Sequence, residues 1–404
     1  MKNTAAPENR GGNIMDIKAL VKASEDYIIE RRKYYHAHPE VSLHEVETTK
    51  AIAADLEAMG IEYKTFLPDH PGVIGEIRGG KPGNTIMLRA DIDGLTVNEE
   101  TGVPYASQNP GVMHACGHDC HIATLLGAAK VLNEIKDELP GNVRLVFEPA
   151  EETLEGVHYV LRDGCLEGVD ACFGMHVWST GAKGKVGVMQ GNIMAAGGKF
   201  TCDIEGFAAH GAAPHDGHDA IVAAGSVIMN LQTYVSRVNN PLNPLVVTIG
   251  TISGGDRWNI IPSKVHMEGT LRTFDPVLRK RLQDDLSAIV ENTAKALGCT
   301  GKFEYHEMWP ATINTDTEMI DIARKAAVKL FGDDVLQDVP PTMGGESFSY
   351  YLNAIPGCYA FMGTNCEENP YGNHNGKYLP DESLVPADAA IFAQVAWDYL
   401  NKKA

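Results

Sequence analysis

A short segment of the chain concentrates side chains that bind metal ions. Residues 113–121 read Met-His-Ala-Cys-Gly-His-Asp-Cys-His and hold three His, two Cys and one Asp. Cys116 and His118 are two positions apart, so an extended backbone directs both to one side. Thiolate and imidazole are preferred ligands of zinc and similar metals. We interpret the segment as part of a metal site. A structural zinc knuckle is the alternative, but the second short-spaced ligand pair that such a knuckle usually needs does not follow.

Carboxylates follow two segments that read as buried strands. Residues 85–90 are mostly apolar and precede Asp91 and Asp93, and residues 142–147 precede Glu151 and Glu152. Open α/β sheets place ligands and chemistry at the carboxyl ends of their strands. Adjacent glutamates cannot easily share one face, so one can bind a metal while the other reaches a water molecule. The alternatives are an Asx turn before Gly94 and a solvated surface loop.

A third apolar segment, residues 171–175, precedes His176. A single histidine after a strand is more often structural than metal-binding. Here, however, a strand followed by a metal-binding residue type occurs three times in succession. This repetition predicts a catalytic metal site built by the fold from distant segments.

The order of the predicted helices and strands indicates two domains. A chain of 404 residues is also longer than one ordinary core needs, which leads to the same expectation. Helical repeats occupy residues 16–36 and 45–59, and a terminal helix is predicted after residue 386. Residues 193–303 have the order β-α-β-β-α-β of a ferredoxin-like module. We therefore predict a catalytic domain from residues 15–192 and 304–404, interrupted by an inserted α+β domain at 193–303. Residues 1–14 are predicted to be a disordered lead-in.

Composition excludes several classes of function. The net charge of −19 argues against nucleic acid and anionic membranes as partners. No apolar run is long enough to span a membrane, and the N-terminus lacks the apolar core of a secretion signal. Eight irregularly spaced cysteines in a large chain are typical of reduced thiols. We expect a cytoplasmic protein.

Motifs along nearly the whole chain resemble one family of enzymes. They are His-Ala-His-Pro-Glu at 36–40, Arg-Ala-Asp-Ile-Asp at 89–93, Met-His-Ala-Cys-Gly-His-Asp at 113–119, Pro-Ala-Glu-Glu at 149–152, Asn-Ile-Ile-Pro at 259–262 and Met-Gly-Gly-Glu at 343–346. The chain resembles the amidohydrolase family of bacterial aminoacylases, hippurate hydrolases and plant auxin-conjugate hydrolases, which are relatives of the di-metal exopeptidases. The resemblance implies a central mixed α/β sheet flanked by helices, and an inserted ferredoxin-like lid and dimerisation domain.

The resemblance also implies a set of site residues. Two divalent ions (zinc, manganese, nickel or cobalt) would be held by Cys116, His118, Glu152, His176 and His374. Glu151 would be the general base that deprotonates a metal-bound water, whose hydroxide attacks the amide of an N-acyl amino acid. Asp91, Asp93 and Asp119 would orient the ligands. The products would be a carboxylic acid and a free amino acid.

Three further residues receive roles from the resemblance. His210, in the inserted domain, would reach the active site of a partner subunit and stabilise the oxyanion, which implies a homodimer. Asn259 would help to hold the substrate. Arg272 would hold a carboxylate, although an arginine in a strand can equally form a structural ion pair.

Three positions depart from the pattern common in this family. Ser347 replaces an aspartate, Glu148 replaces a glutamine, and Cys120 replaces a glycine. None of them removes an implied metal ligand or the base. Trp309 precedes Pro310-Ala311, where peptidase relatives carry an arginine that grips the substrate carboxylate, and this difference argues for an apolar contact. The alternatives that stay open are a dipeptidase or carboxypeptidase, a catalytically silent binding protein, and an enzyme that uses Cys116 as a nucleophile.

Overall fold

Two β-sheets with their helices make up the part of the chain that the computed structural model describes, residues 15–402. The predicted lead-in, residues 1–14, lies outside this part. The helices are α1 (Ile17–Ala23), α2 (Glu25–Ala37), α3 (Val46–Ala58), α4 (His118–Glu134), α5 (Gly156–Arg162), α6 (Ala220–Thr233), α7 (Pro276–Ala296), α8 (Thr317–Phe331), α9 (Ser349–Ala354) and α10 (Leu384–Leu400). The strands are β1 (Glu62–Thr65), β2 (Val73–Arg78), β3 (Lys81–Asp91), β4 (Pro140–Glu148), β5 (Ala171–Ala182), β6 (Val186–Gly187), β7 (Gly191–Met194), β8 (Ala196–Glu205), β9 (Ala209–His210), β10 (Leu245–Gly254), β11 (Ile260–Ile261), β12 (Lys264–Thr273), β13 (Thr300–Trp309), β14 (Thr312–Asn314) and β15 (Gly357–Asn365).

The larger sheet is mixed and has the strand order β1-β2-β4-β3-β5-β15-β6. Its four inner strands, β4, β3, β5 and β15, are parallel to one another. Helices α4 and α10 contribute to its main apolar core, which contains Leu125, Leu126, Ile391 and Phe392. Parallel strands covered in this way are buried, and this explains their continuous apolar runs. The predicted mixed sheet flanked by helices is confirmed.

Two residues that were predicted to follow a strand, Asp91 and His176, instead lie within one. Asp91 ends β3, and Glu148 ends β4 directly beside it in register. His176 lies inside β5, because that strand continues to pair with β15 through Val177 and Trp178. The predicted single helix at 16–36 is in fact two helices, α1 and α2, that meet at Ser24.

The smaller sheet is antiparallel and has the strand order β10-β12-β8-β13. Helices α6 and α7 supply apolar residues to a second core with it, including Val227 of α6, Leu286 of α7 and Phe200 of β8. The chain order β8-α6-β10-β12-α7-β13 is the order expected for a ferredoxin-like module. The domain boundaries, and the role of this unit as a lid and dimerisation domain, stay predictions.

No helix within residues 15–402 combines the length and the apolar character needed to cross a membrane.

A buried carboxyl in α10 gives a prediction about stability. Asp388 is buried, and its Oδ1 has no hydrogen-bond partner among the described residues. Burial raises the pKa of Asp388 well above its usual range. The folded protein therefore keeps this proton to a higher pH than the unfolded chain does. The contribution of Asp388 to the free energy of unfolding is therefore fully present below pH about 4. It falls as pH rises toward the pKa of Asp388 in the folded protein, by up to about 1.4 kcal/mol per pH unit.

Asp388→Asn is expected to flatten this dependence, because an amide does not ionise. Urea unfolding at several pH values between about 4 and 8 should show the variant gaining stability relative to the wild type as pH rises. Asp284→Asn, at an exposed position of α7, is the matched control and should follow the wild type. Parallel curves for Asp388→Asn and the wild type would show that the buried carboxyl has no raised pKa.

Candidate active site

A cleft of about 1170 Å³ lies between the carboxyl ends of the inner parallel strands and the smaller sheet. The larger sheet and its loops contribute polar side chains to it, namely Cys116, Glu151, Glu152, His176 and His374. The smaller sheet contributes Lys199, Glu268, Thr270 and Arg272 from the face opposite α6 and α7. Apolar side chains, including Trp178, Met194, Met308 and Trp309, form much of the remaining wall.

The five predicted metal ligands lie close together: four of them line the cleft, and the fifth, His118, is buried beside Glu152. The Sγ atom of Cys116 is 3.4 Å from Nε2 of His176. Oε1 of Glu152 is 3.9 Å from Nε2 of His118 and 3.5 Å from Nε2 of His374. Four groups of donor atoms each lie within 4.8 Å of one another. They are Cys116 with His118 and His176, Cys116 with Glu152 and His374, His118 with Glu151 and Glu152, and Asp91 with His118 and His121. The side chains present can therefore hold two metal ions, with the thiolate available to both.

Two buried atoms without partners test this interpretation. Nε2 of His118 and Oε1 of Glu152 are both buried and have no hydrogen-bond partner within residues 15–402. Leaving such atoms unpaired costs about 1–3 kcal/mol each. Their separation of 3.9 Å is close to two metal–ligand bonds of about 2 Å. A divalent cation between them would satisfy both atoms, so the donors fit a metal.

The hydrogen bonds of the histidines point their free nitrogens at the cleft. Nδ1 of His118 donates to the main-chain oxygen of Asp93 at 2.9 Å and lies 3.1 Å from its carboxylate. Nδ1 of His176 donates to the main-chain oxygen of Val177 at 2.7 Å. Because an acceptor occupies each Nδ1, Nε2 carries the lone pair in both rings. Asp93 contacts the ring of His118 as its predicted orienting role requires, and that role stays a prediction.

Asp91 has a partner that the sequence analysis missed. Nε2 of His121 accepts the N–H of Val177 at 2.9 Å, so its Nδ1 carries the proton and donates to Asp91 Oδ1 at 2.5 Å. Both nitrogens of His121 are engaged, which excludes it as a ligand. Arg89 holds the other oxygen of Asp91 at 2.7 Å. Asp91 therefore contacts both His121 and Arg89, and its predicted orienting role stays a prediction.

Asp119 lies at the start of α4, on the side away from the cleft. Its Oδ2 is 2.9 Å from Nε of Arg32 and 2.9 Å from Nδ1 of His36. Burial opposes ionisation, but these cations lower the pKa of Asp119. These two contacts of Asp119 fix the beginning of α4, the helix that carries His118.

Glu151 lies beside the donors, with one of its oxygens within 4.8 Å of donor atoms of His118 and Glu152. It is buried, and its Oε1 accepts the main-chain N–H of Ser347 at 3.1 Å. Burial, followed by the charges of Glu346 and Glu152, raises the pKa of Glu151 well above its usual range. The preceding residue, Ala150, has a φ of 48°, a strained conformation that persists only where the surroundings enforce it. A divalent cation in the cleft would offset the crowding of these negative charges.

Comparison with known proteins identifies the family. Residues 87–398 match the family described as Peptidase family M20/M25/M40. The chain belongs to this family. The resemblance stated from the motifs is thereby confirmed.

Individual relatives match over nearly the full chain. An N-acetyl-L-cysteine deacetylase of Bacillus subtilis is 42% identical, covering 94% of this chain and 90% of that protein. An IAA-amino acid hydrolase ILR1-like 2 of Arabidopsis thaliana is 36% identical, covering 94% and 86%. The crystal structure of YXEP of Bacillus subtilis, described as a dinuclear metal-binding peptidase of the M20 family, superposes with a TM-score of 0.83 at 36% identity and covers 95% of this chain and 100% of that one.

Two of the three departures from the family pattern lie in contact with each other. The hydroxyl of Ser347 donates to the carboxylate of Glu148. Both contact Arg89, whose Nη2 donates to Ser347 at 2.6 Å and whose Nε donates to Glu148 at 3.0 Å. Nη1 of Arg89 is 3.3 Å from Glu346, to which Tyr359 also donates. We name this buried group, Arg89, Asp91, Glu148, Glu346 and Ser347, the Arg89 cluster.

The Arg89 cluster was missed because its members are far apart in the chain. One signal was available, since Arg89 stands inside an apolar strand and a buried guanidinium requires carboxylate partners. The partners themselves could not be identified from spacing.

His210 and Asn259 lie together but outside the cleft of their own chain. Strand β9, which ends at His210, pairs with β11, and the N–H of Gly211 donates to the main-chain oxygen of Asn259 at 2.9 Å. His210 is exposed, and neither residue lines the cleft in the described part of the chain. Their predicted roles stay predictions.

Arg272 does face the cleft. Its guanidinium lies 4.4 Å from the ring centroid of Trp309, and its Nε donates to the hydroxyl of Thr270 at 3.1 Å. Burial lowers the pKa of Arg272. It forms no ion pair with any residue that the structure describes, which argues against the structural alternative for this arginine.

The environment of Cys116 argues against its use as a nucleophile. A thiol attacks as its thiolate, and reactive cysteines have a lowered pKa. Burial, followed by the charge of Glu152, raises the pKa of the Cys116 thiol well above its usual value. A bound cation would reverse this effect, as expected for a metal ligand.

Proposed function

We propose that this protein hydrolyses the amide bond of N-acyl amino acids, releasing a carboxylic acid and a free amino acid. The observation that carries the proposal is the convergence of five donor side chains beside Glu151, whose Oε1 accepts the N–H of Ser347, in a cleft with apolar walls. The relatives named for N-acetylcysteine and for IAA-amino acids support the same class of substrate.

The donor set fits two divalent ions of zinc, manganese, nickel or cobalt, held by Cys116, His118, Glu152, His176 and His374. When bound, such ions lower the pKa of water toward about 7 and polarise a carbonyl. Glu151 takes a proton from the attacking water and returns it to the leaving amine. The N–H of Ser347 holds Glu151 in place for both transfers. Arg272 faces the same cleft and supplies a cation for the carboxylate of the substrate.

A substrate panel tests the proposal. Acetyl, benzoyl and phenylacetyl conjugates of one amino acid are compared with dipeptides, with amino acid release as the readout. Hydrolysis of at least one conjugate is expected, with loss of activity in a chelator and recovery with added zinc or manganese. Faster hydrolysis of dipeptides would favour a dipeptidase. Activity that survives the chelator but not cysteine alkylation would favour Cys116 as the nucleophile.

We propose that the active form is a homodimer in which His210 completes the site of the partner subunit. An apolar surface next to His210 supports this. Ile221, Val222 and Met229 of α6 are about half exposed or more, and Trp258 is 92% exposed. The N–H of Ala220 donates to the main-chain oxygen of Pro262, so this helix adjoins the loops that carry Trp258 and His210. Exposed apolar surface of this kind commonly marks a protein interface.

Complementation between two inactive variants is expected to reveal the shared site. Glu151→Ala and His210→Ala are each expected to be nearly inactive as homodimers. After mixing and subunit exchange, half of the dimers are mixed and each has one complete site, so about a quarter of the wild-type activity should return. Co-expression replaces mixing if exchange is slow. A monomer by light scattering, or no recovery in verified mixed dimers, would remove His210 from the partner's site.

We propose that the protein acts in the cytoplasm. All eight cysteines lie in the described part of the chain as free thiols, and seven of them are buried. Free thiols in a chain of this size suit a reducing compartment.

A further inference from the structure

Trp309 lies where the chain passes between the two sheets. It is the last residue of β13, and its Nε1–H donates to the main-chain oxygen of Ala195 at 3.0 Å. Ala195 lies between β7 and β8, on the other passage between the sheets. The indole thus ties both connections together. At 5% exposure it is a buried plate with one edge at the cleft.

One face of this plate holds Arg272, which lines the cleft and has no ion pair among residues 15–402. The guanidinium of Arg272 is centred 4.4 Å from the ring, a distance typical of cation–π stacking. The bond from Nε to Thr270 fixes the side chain at a second point. The terminal nitrogens have no carboxylate partner within the described ranges, so they remain available to a ligand.

Two glycines leave room for the indole, because a Cβ atom at either position would overlap it. At Gly197 a Cβ would lie 2.5 Å from Cζ2 of Trp309 and 2.8 Å from Cδ of Arg272. At Gly345 it would lie 2.6 Å from Nε1 of Trp309. All three distances are shorter than van der Waals contact allows. Any larger residue at either position would displace the ring.

Gly345 also connects Trp309 to the general base. It belongs to the turn at residues 344–347, in which Ser347 donates its N–H to Glu151 at 3.1 Å. The main-chain oxygen of Gly344 accepts the N–H of Ala195 at 3.0 Å. Trp309 therefore contacts Arg272 on one side and the segment 344–347, which holds Glu151, on the other.

We propose that Trp309 is a positioning residue that presents Arg272 to the carboxylate of the substrate. This inference rests on the proposed function and extends it to a residue that touches neither the donors nor Glu151. Stacking pre-orients the guanidinium before binding, so less side-chain freedom is lost when the carboxylate arrives. The effect should appear in the binding of substrates with a carboxylate and be absent for those without one.

Two matched substrates test the inference. One is an N-acyl amino acid, and the other is the corresponding N-acyl amine that lacks the carboxylate; acid release is measured for both. Trp309→Leu is expected to lower kcat/KM for the amino acid substrate by roughly tenfold, mainly through KM, with little change for the amine. Trp309→Phe keeps an aromatic face and should retain most of the preference. Trp309→Met, which fills much of the same space without an aromatic face, should resemble Trp309→Leu.

Arg272→Gln separates failure of this inference from failure of the proposed function. If Arg272→Gln loses the preference for the carboxylate and Trp309→Leu does not, Trp309 is not the positioning residue. If Trp309→Leu lowers kcat/KM equally for both substrates, the role of Trp309 is structural and the inference fails. If Arg272→Gln keeps the preference, the carboxylate binds elsewhere and the inference also fails. No hydrolysis of either substrate by the metal-loaded wild type would instead overturn the proposed function. Should Trp309→Leu not fold, Trp309→Met and Trp309→Phe decide the same question.

Discussion

Glu151→Gln is expected to keep its full metal content and to lose activity by roughly 10²- to 10⁴-fold in kcat. The amide has nearly the shape of the carboxylate, and its oxygen can still accept the N–H of Ser347. The metal donors are the neighbouring Glu152 and four residues from other segments, so their geometry should be unchanged. What is lost is the group that accepts a proton from water. Metal analysis by mass spectrometry and steady-state kinetics on the same preparation measure both quantities.

The matched control is Glu57→Gln, at an exposed glutamate of α3 that is remote from the cleft. It should leave kcat and metal content at wild-type values. A Glu152→Gln variant should behave oppositely to Glu151→Gln, losing metal together with activity. If Glu151→Gln turns over substrate at near the wild-type rate, another group is the base. If it loses its metal, Glu151 is a ligand.

Much of the site could be predicted from the sequence because its chemistry is local to the ends of strands. Asp91 ends β3, and Glu151 and Glu152 follow β4 closely, so recognising buried strands was sufficient to place them. Cys116 and His118 were indicated by their side-chain types and close spacing. The extended backbone expected between them was wrong, because Gly117 has a φ of 92° and His118 begins α4. His374 has no such local signal, since it lies in a loop with a φ of 69°, and only the resemblance to the family indicated it.

The remainder depended on contacts that no local pattern encodes. Ser347 and Arg89 are hydrogen-bonded across 258 positions of the chain. Trp309 was expected to make an apolar contact, and its stacking on Arg272 became visible only with the strands in register. The division between α1 and α2 at Ser24 was missed because the apolar repeat continues through it. In each case tertiary packing, rather than local propensity, decides the outcome.

The contact between Ser347 and Glu148 predicts that these two departures from the family pattern compensate for each other. Arg89 faces three buried carboxylates, those of Asp91, Glu148 and Glu346. With the aspartate and glutamine common in the family at positions 347 and 148, the number of carboxylates in the Arg89 cluster would be the same. Moving the carboxylate from one position to its hydrogen-bonded neighbour conserves the charge around Arg89.

Ser347→Asp alone is therefore expected to destabilise the protein by about 3–5 kcal/mol, because it buries a fourth carboxylate directly against Glu148. Glu148→Gln alone removes an ion pair with Arg89 and the charged acceptor of Tyr351, at a cost of about 1–3 kcal/mol. The double variant should restore the charge count and cost less than the sum, with a coupling energy of at least about 2 kcal/mol. Urea unfolding of the metal-loaded proteins measures this double-mutant cycle.

A cycle at an exposed pair provides the comparison. Arg78 and Glu62 are hydrogen-bonded on the surface, where water and ions screen such a pair and its contribution to stability is small. Coupling at that pair should be small and should weaken with added salt, whereas coupling in the Arg89 cluster should persist because water and ions do not reach it. If Ser347→Asp and Glu148→Gln prove additive, the two departures are independent. Compensation also predicts that the double variant, unlike Ser347→Asp, retains activity, since the N–H of residue 347 again lies where Glu151 needs it.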